Sequence, residues 1–217
     1  MTVKEVIDIA KGELGTVENP PNSNCVKYND WFYNRQSVSG AAYPWCCVFI
    51  SWLFRKEPKL IKKTASCMDL YNWFKMNGQI VKKPQAGDIV FFKYNTNSRF
   101  TNHVGLVISV SADGKVINTI EGNTSTSSQD NGGKVMQRNR YNNIVGYGRP
   151  KYSDSGNTAQ EPTPVNHSAE LEKVARDVIA GKYGNGNDVR KANLARAGYN
   201  DYEAIRKIVN RLKKEGK

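Results

Sequence analysis

Helical periodicity, then β alternation, then helical periodicity again predict an α+β domain followed by a small all-α domain. Three observations carry this. Apolar residues recur at three- and four-residue spacing through much of the first eighty positions. Short β-rich runs bounded by turn residues then fill 88–148. Finally, a stretch with two prolines and no aromatic, Lys or Arg (Ser153–His167) precedes a return to helical spacing. Such a stretch reads as a solvated linker, and few compact domains hold a loop that long without apolar anchors. The expected division is therefore 1–152, linker 153–167 and 168–217.

The elements follow in order. Thr2 and Glu5 form a capping box, and Val3, Val6, Ile7, Ala10 and Leu14 mark a helix that Gly15 stops. A second helix is expected from about Pro44 to Phe54, apolar on nearly every side and hence central. A third begins near Ser66, turns Leu70, Trp73 and Phe74 inward, and ends at Asn77–Gly78. Strands are expected at Asp88–Lys93, His103–Ser111, Lys115–Gly122 and Ile144–Gly148, as an antiparallel meander. Beyond the linker, Ser168 caps a helix carrying Leu171, Val174, Ala175, Val178 and Ile179, closed by Gly181. A shorter helix covers about Asp188–Ala197 and stops at Gly198. Asp201 caps the last, with Tyr202, Ile205, Ile208, Val209 and Leu212 on one side. A unit of this size folds alone only marginally.

The chain has 217 residues and a formal net charge of +12. The excess of Lys and Arg lies on both predicted domains, and the linker carries only Asp154 and Glu161. Such a protein is drawn to polyanions such as nucleic acid, anionic lipid or wall teichoic acid, and charge does not choose among them. No run approaches the roughly 18 apolar residues of a membrane span, so membrane insertion is not expected. Glu5, Asp8, Lys11 and Glu13 interrupt any signal-peptide core, so synthesis in a cytosol with reduced thiols is expected. Two histidines and no CxxC pair argue against zinc, and no cofactor is expected.

Thiol hydrolysis needs a thiolate, a base and a group that orients the base. Pro44 suits an early helix position, placing Cys46 and Cys47 in a first turn where free N–H groups and the macrodipole lower a thiol pKa. His167 falls in the linker, leaving His103 as the base. Asp113–Gly114 is a hairpin signal, and a turn centred there sets His103 opposite residues 121–124. Glu121 and Asn123 share a face, and either could hold the imidazole. Cys25 and Cys67 read as inert packing residues, Cys47 as a decoy beside the nucleophile. The tryptophans at 31, 45, 52 and 73 read as core or cleft walls.

PWCCVFISWLF (44–54), GDIVFF (87–92), NHVGLV (102–107) and IEGN (120–123) occur in the order and setting of the CHAP domain, which residues 1–150 resemble. CHAP domains are cysteine- and histidine-dependent amidohydrolases or peptidases of the papain-like group. The resemblance implies Cys46 as nucleophile, His103 as base, and Glu121 with Asn123 as the orienting pair. The residue after the nucleophile is commonly alanine, and here it is Cys47. Some members carry an acidic calcium loop, but Glu18–Asp30 holds only those two acids, so no calcium is expected. Residues 174–212 resemble the CW-seven type of wall-binding repeat found in phage lysins. Their GNG-to-RK spacing is one residue longer than usual. That resemblance suggests Asp188, Arg190 and Tyr199 as contacts to a muropeptide.

A peptidoglycan hydrolase is the resulting expectation, either an N-acetylmuramoyl-L-alanine amidase or a peptide endopeptidase. An endolysin fits best, made without a signal peptide and reaching the wall after holin-type release, with peptidoglycan as its partner and no obligate protein partner. The alternatives are a non-catalytic wall-binding protein and a basic nucleic-acid binder. The seven acids interspersed in the C-terminal helices and a hydrolytic constellation with no use on DNA weigh against the latter.

Overall fold

The structure is a computed structural model that describes residues 1–94, 97, 100–154, 167–196 and 202–215. The chain divides into two compact units, Met1–Thr158 and Ala159–Lys217. Within the expected linker, residues 155–166 lie outside the described set. Its first two residues belong with the N-terminal unit. Ser153 N–H donates to the Met1 carbonyl at 3.1 Å, and the Val3 amide donates to the Asp154 carboxylate at 3.1 Å.

Among its described residues the N-terminal unit is α+β, with four helices packed on a six-stranded antiparallel sheet. Helix α1 (Val3–Gly12) starts with the Thr2–Glu5 capping box and buries Val6 and Ala10. Helix α2 (Lys27–Tyr33) was not anticipated: it is seven residues long and its N-cap, Val26, offers no side-chain bond. Helix α3 (Cys46–Leu53) is the central one, with all but Trp52 of its residues buried. Helix α4 (Cys67–Met76) is capped by Ser66 and closes at Asn77.

The strands are β1 (Ile80–Val81), β2 (Ile89–Phe92), β3 (His103–Val110), β4 (Ile117–Thr124), β5 (Lys134–Arg140) and β6 (Ile144–Gly148). Their spatial order is β1-β6-β2-β3-β4-β5, so the meander runs from β2 to β5 and β6 returns beside β2. Ile89, Phe91, Val104, Leu106, Ile120 and Val135 join the helices in the main core. Val90, Phe92, Val107, Ile117 and Tyr147 form a second apolar cluster. Because β2 contributes to both clusters, it reads as an unbroken apolar run, as strands buried on two faces do. Gly122 brings α3 close to β4, since a Cβ there would lie 2.6 Å from Phe49 Cβ.

The C-terminal unit comprises α5 (His167–Ile179), α6 (Asn187–Arg196) and α7 (Tyr202–Lys214). Val174, Ala175, Val178, Leu194, Ile205, Val209 and Leu212 make its core. Gly184 and Gly186 between α5 and α6 both take positive φ, where glycine is favoured. Ile179 is more exposed than expected, and the expected helix stop at Gly198 and cap at Asp201 lie outside the described residues.

Candidate active site

Cys46 is the first residue of α3, and the N-cap Trp45 makes no side-chain bond to the helix start. Those first-turn N–H groups and the helix dipole favour a thiolate or an oxyanion. Trp45 is itself fixed by its indole N–H, which donates to Glu18 Oε1 at 2.7 Å. Glu18 thus serves the scaffold, and among the described residues no three His, Cys, Asp or Glu side chains form a metal-binding group.

His103 starts β3 and is fully buried, as is Glu121 on β4. Leu106 pairs with Ile120 and Val107 with Thr119. Continued to the strand start, that register sets His103 across from Asn123. The imidazole nevertheless bonds the diagonal neighbour, with Nε2 2.9 Å from Glu121 Oε2. Gly105 makes this geometry feasible, because a Cβ there would lie 2.6 Å from Glu121 Cγ. With Nε2 engaged by the carboxylate, Nδ1 has no hydrogen-bond partner among the described residues and is the nitrogen available to a thiol.

Cys46 and His103 act on each other's protonation. Burial pulls the His103 pKa down, but the Cys46 sulfur and the Glu121 carboxylate outweigh it and push it up to about 9. Burial also opposes the Glu121 charge, yet hydrogen bonds from Arg140 and His103 bring its pKa down to about 2. The Cys46 thiol is raised well above its ordinary value, first by the hydrogen bond with Cys67 and then by burial, while His103 works in the opposite direction.

Cys67 was expected to be inert packing, but its Sγ lies 3.6 Å from that of Cys46. It is the first residue of α4, so two helix starts each present a cysteine to the same point. Asn123 is placed differently from Glu121. Its side-chain amide donates to Asn131 Oδ1 at 3.2 Å, and its carbonyl oxygen accepts from Gly133 N–H at 3.1 Å. It thus fastens the 131–133 loop and makes no hydrogen bond to His103 among the described residues. Sequence reasoning also passed over Arg140 and Thr119. Arg140 donates to both oxygens of Glu121, and the Thr119 hydroxyl donates to Oε1 at 2.5 Å.

A cysteine at a helix start and an imidazole–carboxylate pair on a hairpin are the groups that thiol hydrolysis uses. Residues 38–123 match the CHAP domain. That segment spans Cys46, His103, Glu121 and Asn123, and members of the CHAP family are cysteine- and histidine-dependent amidohydrolases or peptidases. Residues 172–212 match the CW_7 repeat, which points to cell-wall binding. The crystal structure of Ly7917 is similar at 15% identity and a TM-score of 0.43, covering 69% of this chain. This chain spans 63% of that protein. No curated protein matches the chain in sequence.

Within the CW_7 match, Asp188 is exposed in the first turn of α6. Arg190 is half-buried, and its Nε donates to the Gly184 carbonyl at 3.0 Å, which closes the glycine turn. Tyr199 lies outside the described residues.

Proposed function

We propose that this chain is a peptidoglycan hydrolase of the phage-endolysin type that cleaves an amide bond by Cys46–His103 thiol catalysis. The observation that carries the proposal is the buried set Cys46, His103 and Glu121. One imidazole nitrogen is held by a carboxylate and the other is left for the thiol. His103 Nδ1 takes the Cys46 proton and the thiolate attacks the amide carbonyl. The oxyanion is met by the Cys46 backbone N–H at the start of α3. The imidazolium then protonates the leaving amine, and water, activated by the same imidazole, releases the acyl group from sulfur.

The substrate bond is either N-acetylmuramoyl–L-alanine or an amide within the stem peptide or cross-bridge. The C-terminal unit holds the enzyme on the muropeptide, with Asp188, Arg190 and Tyr199 as the proposed contacts. Passage to the wall through a holin-type lesion belongs to the same proposal.

Purified chain is expected to clear a suspension of purified peptidoglycan. Cys46→Ala should abolish clearing, and Cys47→Ala should leave it nearly unchanged. Equal clearing by parent and Cys46→Ala would remove the thiol mechanism. Mass spectrometry of the soluble fragments assigns the bond. Intact stem peptides with a free L-alanine amine mean amidase, and cut stems or cross-bridges mean endopeptidase. Full-length Cys46→Ala should sediment with peptidoglycan across a salt series. Retention on duplex DNA, lost steeply with salt, and no wall binding would support a nucleic-acid binder instead.

A further inference from the structure

Arg140 is almost wholly buried, 5% exposed, at the end of β5. Its Nε donates to Glu121 Oε1 at 2.8 Å and its Nη2 to Oε2 at 2.5 Å. The remaining edge of the guanidinium is held by the side-chain oxygen of Gln129 and, at 3.4 Å, by its backbone carbonyl. Its Cζ lies 5.4 Å from the centre of the Phe92 ring and 5.2 Å from that of Tyr94. Those same two rings flank the imidazole, each 5.9 Å from it between centroids. A planar fork that stays charged is the side chain best suited to fix both oxygens of one carboxylate.

We propose that Arg140 is a positioning residue for the thiol–imidazole pair. Its two-pronged bond keeps Glu121 ionised and aimed at His103 Nε2, so that Nδ1 always faces Cys46. The physical need comes from the catalytic cycle. Whenever His103 is neutral, the buried carboxylate has no other full positive charge bonded to it among the described residues. A carboxyl group left alone there would take up a proton and, as a donor, could favour the opposite tautomer. This inference rests on the proposed thiol mechanism, but its test does not need turnover.

The test compares full-length parent, Arg140→Gln and Arg140→Lys. Three quantities are read: the rate of iodoacetamide alkylation at the Cys46 peptide across pH, wall clearing, and the melting midpoint. Loss of a charged hydrogen bond is typically worth ~1.5–3 kcal/mol, which corresponds to about 10- to 100-fold in rate. Arg140→Gln is expected to lose that much clearing and to shift the alkylation profile along the pH axis, with Arg140→Lys recovering part of both. A melt lowered with the alkylation profile of the folded protein unmoved would make Arg140 merely structural and overturn the proposal. Should Arg140→Gln fail to fold, a folded Arg140→Lys with parental profile and clearing would overturn it equally. If parent protein clears no wall, the hydrolase reading fails while the alkylation profiles still decide the role of Arg140.

A separate observation, the 3.6 Å contact between Cys46 and Cys67, supports a modification site. We infer that the two form a reversible disulfide that silences the nucleophile, with a small-molecule disulfide as oxidant. The Cys46 thiolate attacks one sulfur of the oxidant and expels a thiolate. Cys67, as thiolate, then attacks Cys46 Sγ and expels the second. Two electrons pass to the oxidant, which leaves as two thiols carrying the two cysteine protons. The residues keep 4% and 7% exposure and their sulfurs stand at two helix starts, but both thiols are raised well above their ordinary value, so the exchange should run faster as pH rises.

Parent protein is to be held in oxidised glutathione, digested under acid and analysed by mass, with clearing measured before and after a reductant. A Cys46–Cys67 cross-linked peptide, short of two hydrogens, together with at least a tenfold loss of clearing that reductant restores, is expected. Cys67→Ala and Cys67→Ser should form no such cross-link. A glutathione adduct on Cys46 without the cross-link, or full clearing by cross-linked parent, would overturn the inference.

Discussion

Polar groups in the two units sit in opposite surroundings. In the N-terminal unit His103, Glu121 and Thr119 are fully buried, and Arg140 nearly so, and their charges are balanced by direct bonds within one cluster. In the C-terminal unit the ion pairs among the described residues lie on the outside of α5 and α7, as with Glu172 between Arg176 and Arg211. Buried charge is costly to leave unmatched, whereas an exposed pair exchanges one set of polar contacts for water. Single polar changes should therefore be severe in the first unit and mild in the second. Stability in the second should instead hang on its few apolar side chains.

The sharpest way to break this contrast is Glu121→Gln. The substitution keeps shape but removes the charge that holds His103 Nε2, and the neutral amide can present its donor to the ring. A thiol or serine hydrolase that loses the orienting acid falls by about 10²- to 10⁴-fold in kcat. Clearing rates should drop within that range while sedimentation with peptidoglycan is kept. A loss below tenfold in folded protein would mean that Glu121 does not set the imidazole.

Next in size is Leu194→Ala, in the core of the helical unit. Removing a buried leucine costs about 2–5 kcal/mol, comparable to the whole stability of so small a core. Wall sedimentation of the full chain should fail and the helical unit should melt separately, well below the N-terminal unit. Unchanged wall binding by this variant would place the wall contact outside the C-terminal unit.

Legibility in the sequence follows distance along the chain. The Thr2–Glu5 box, the α3 helix start and the β3–β4 hairpin are local patterns, and with them come Cys46, His103 and Glu121. The hairpin signal at Asp113–Gly114 was sound: Gly114 takes positive φ and its N–H closes the turn on the Ser111 carbonyl at 2.8 Å. Cys67 was out of reach because it meets Cys46 only through the packing of two helix starts. Arg140 was missed because its strand, KVMQRNR, lacks the clean alternation that reveals a half-buried strand. The shift in β4–β5 register between Glu121 and Thr124 adds a further irregularity that no alternation rule supplies. Asn123 was paired with Glu121 by face alone, and its left-handed backbone, φ 56°, leaves its amide on the 131–133 loop.

A smaller effect, in pH rather than rate, is expected from Cys67→Ala. The hydrogen bond with Cys67, and then burial, hold the Cys46 thiol protonated well above its ordinary range, so the reactive thiolate forms only as protons are removed. Alkylation of Cys46 should therefore rise as pH increases. The hydrogen bond with Cys67 is the largest influence keeping that proton on, and removing it should move the midpoint to lower pH. A midpoint that stays or moves upward would contradict the assigned cause.

The smallest expected effect tests the other side of the contrast. Glu172 on α5 accepts from Arg176 one turn along the same helix and from Arg211 on α7, each at 3.0 Å. The pairing looks like a strut between helices, yet both arginines remain about half exposed. Water and salt ions reach the guanidiniums, and holding three long side chains in one arrangement costs rotamer entropy. Glu172→Gln should therefore leave the melt of the helical unit and the wall sedimentation almost where they were, and raised salt should hardly separate variant from parent. A large drop in the melting midpoint, abolished for parent and variant alike in high salt, would show that this pair carries the helical unit as the Arg140–Glu121 bond carries the catalytic cluster, and the contrast between the two units would fail.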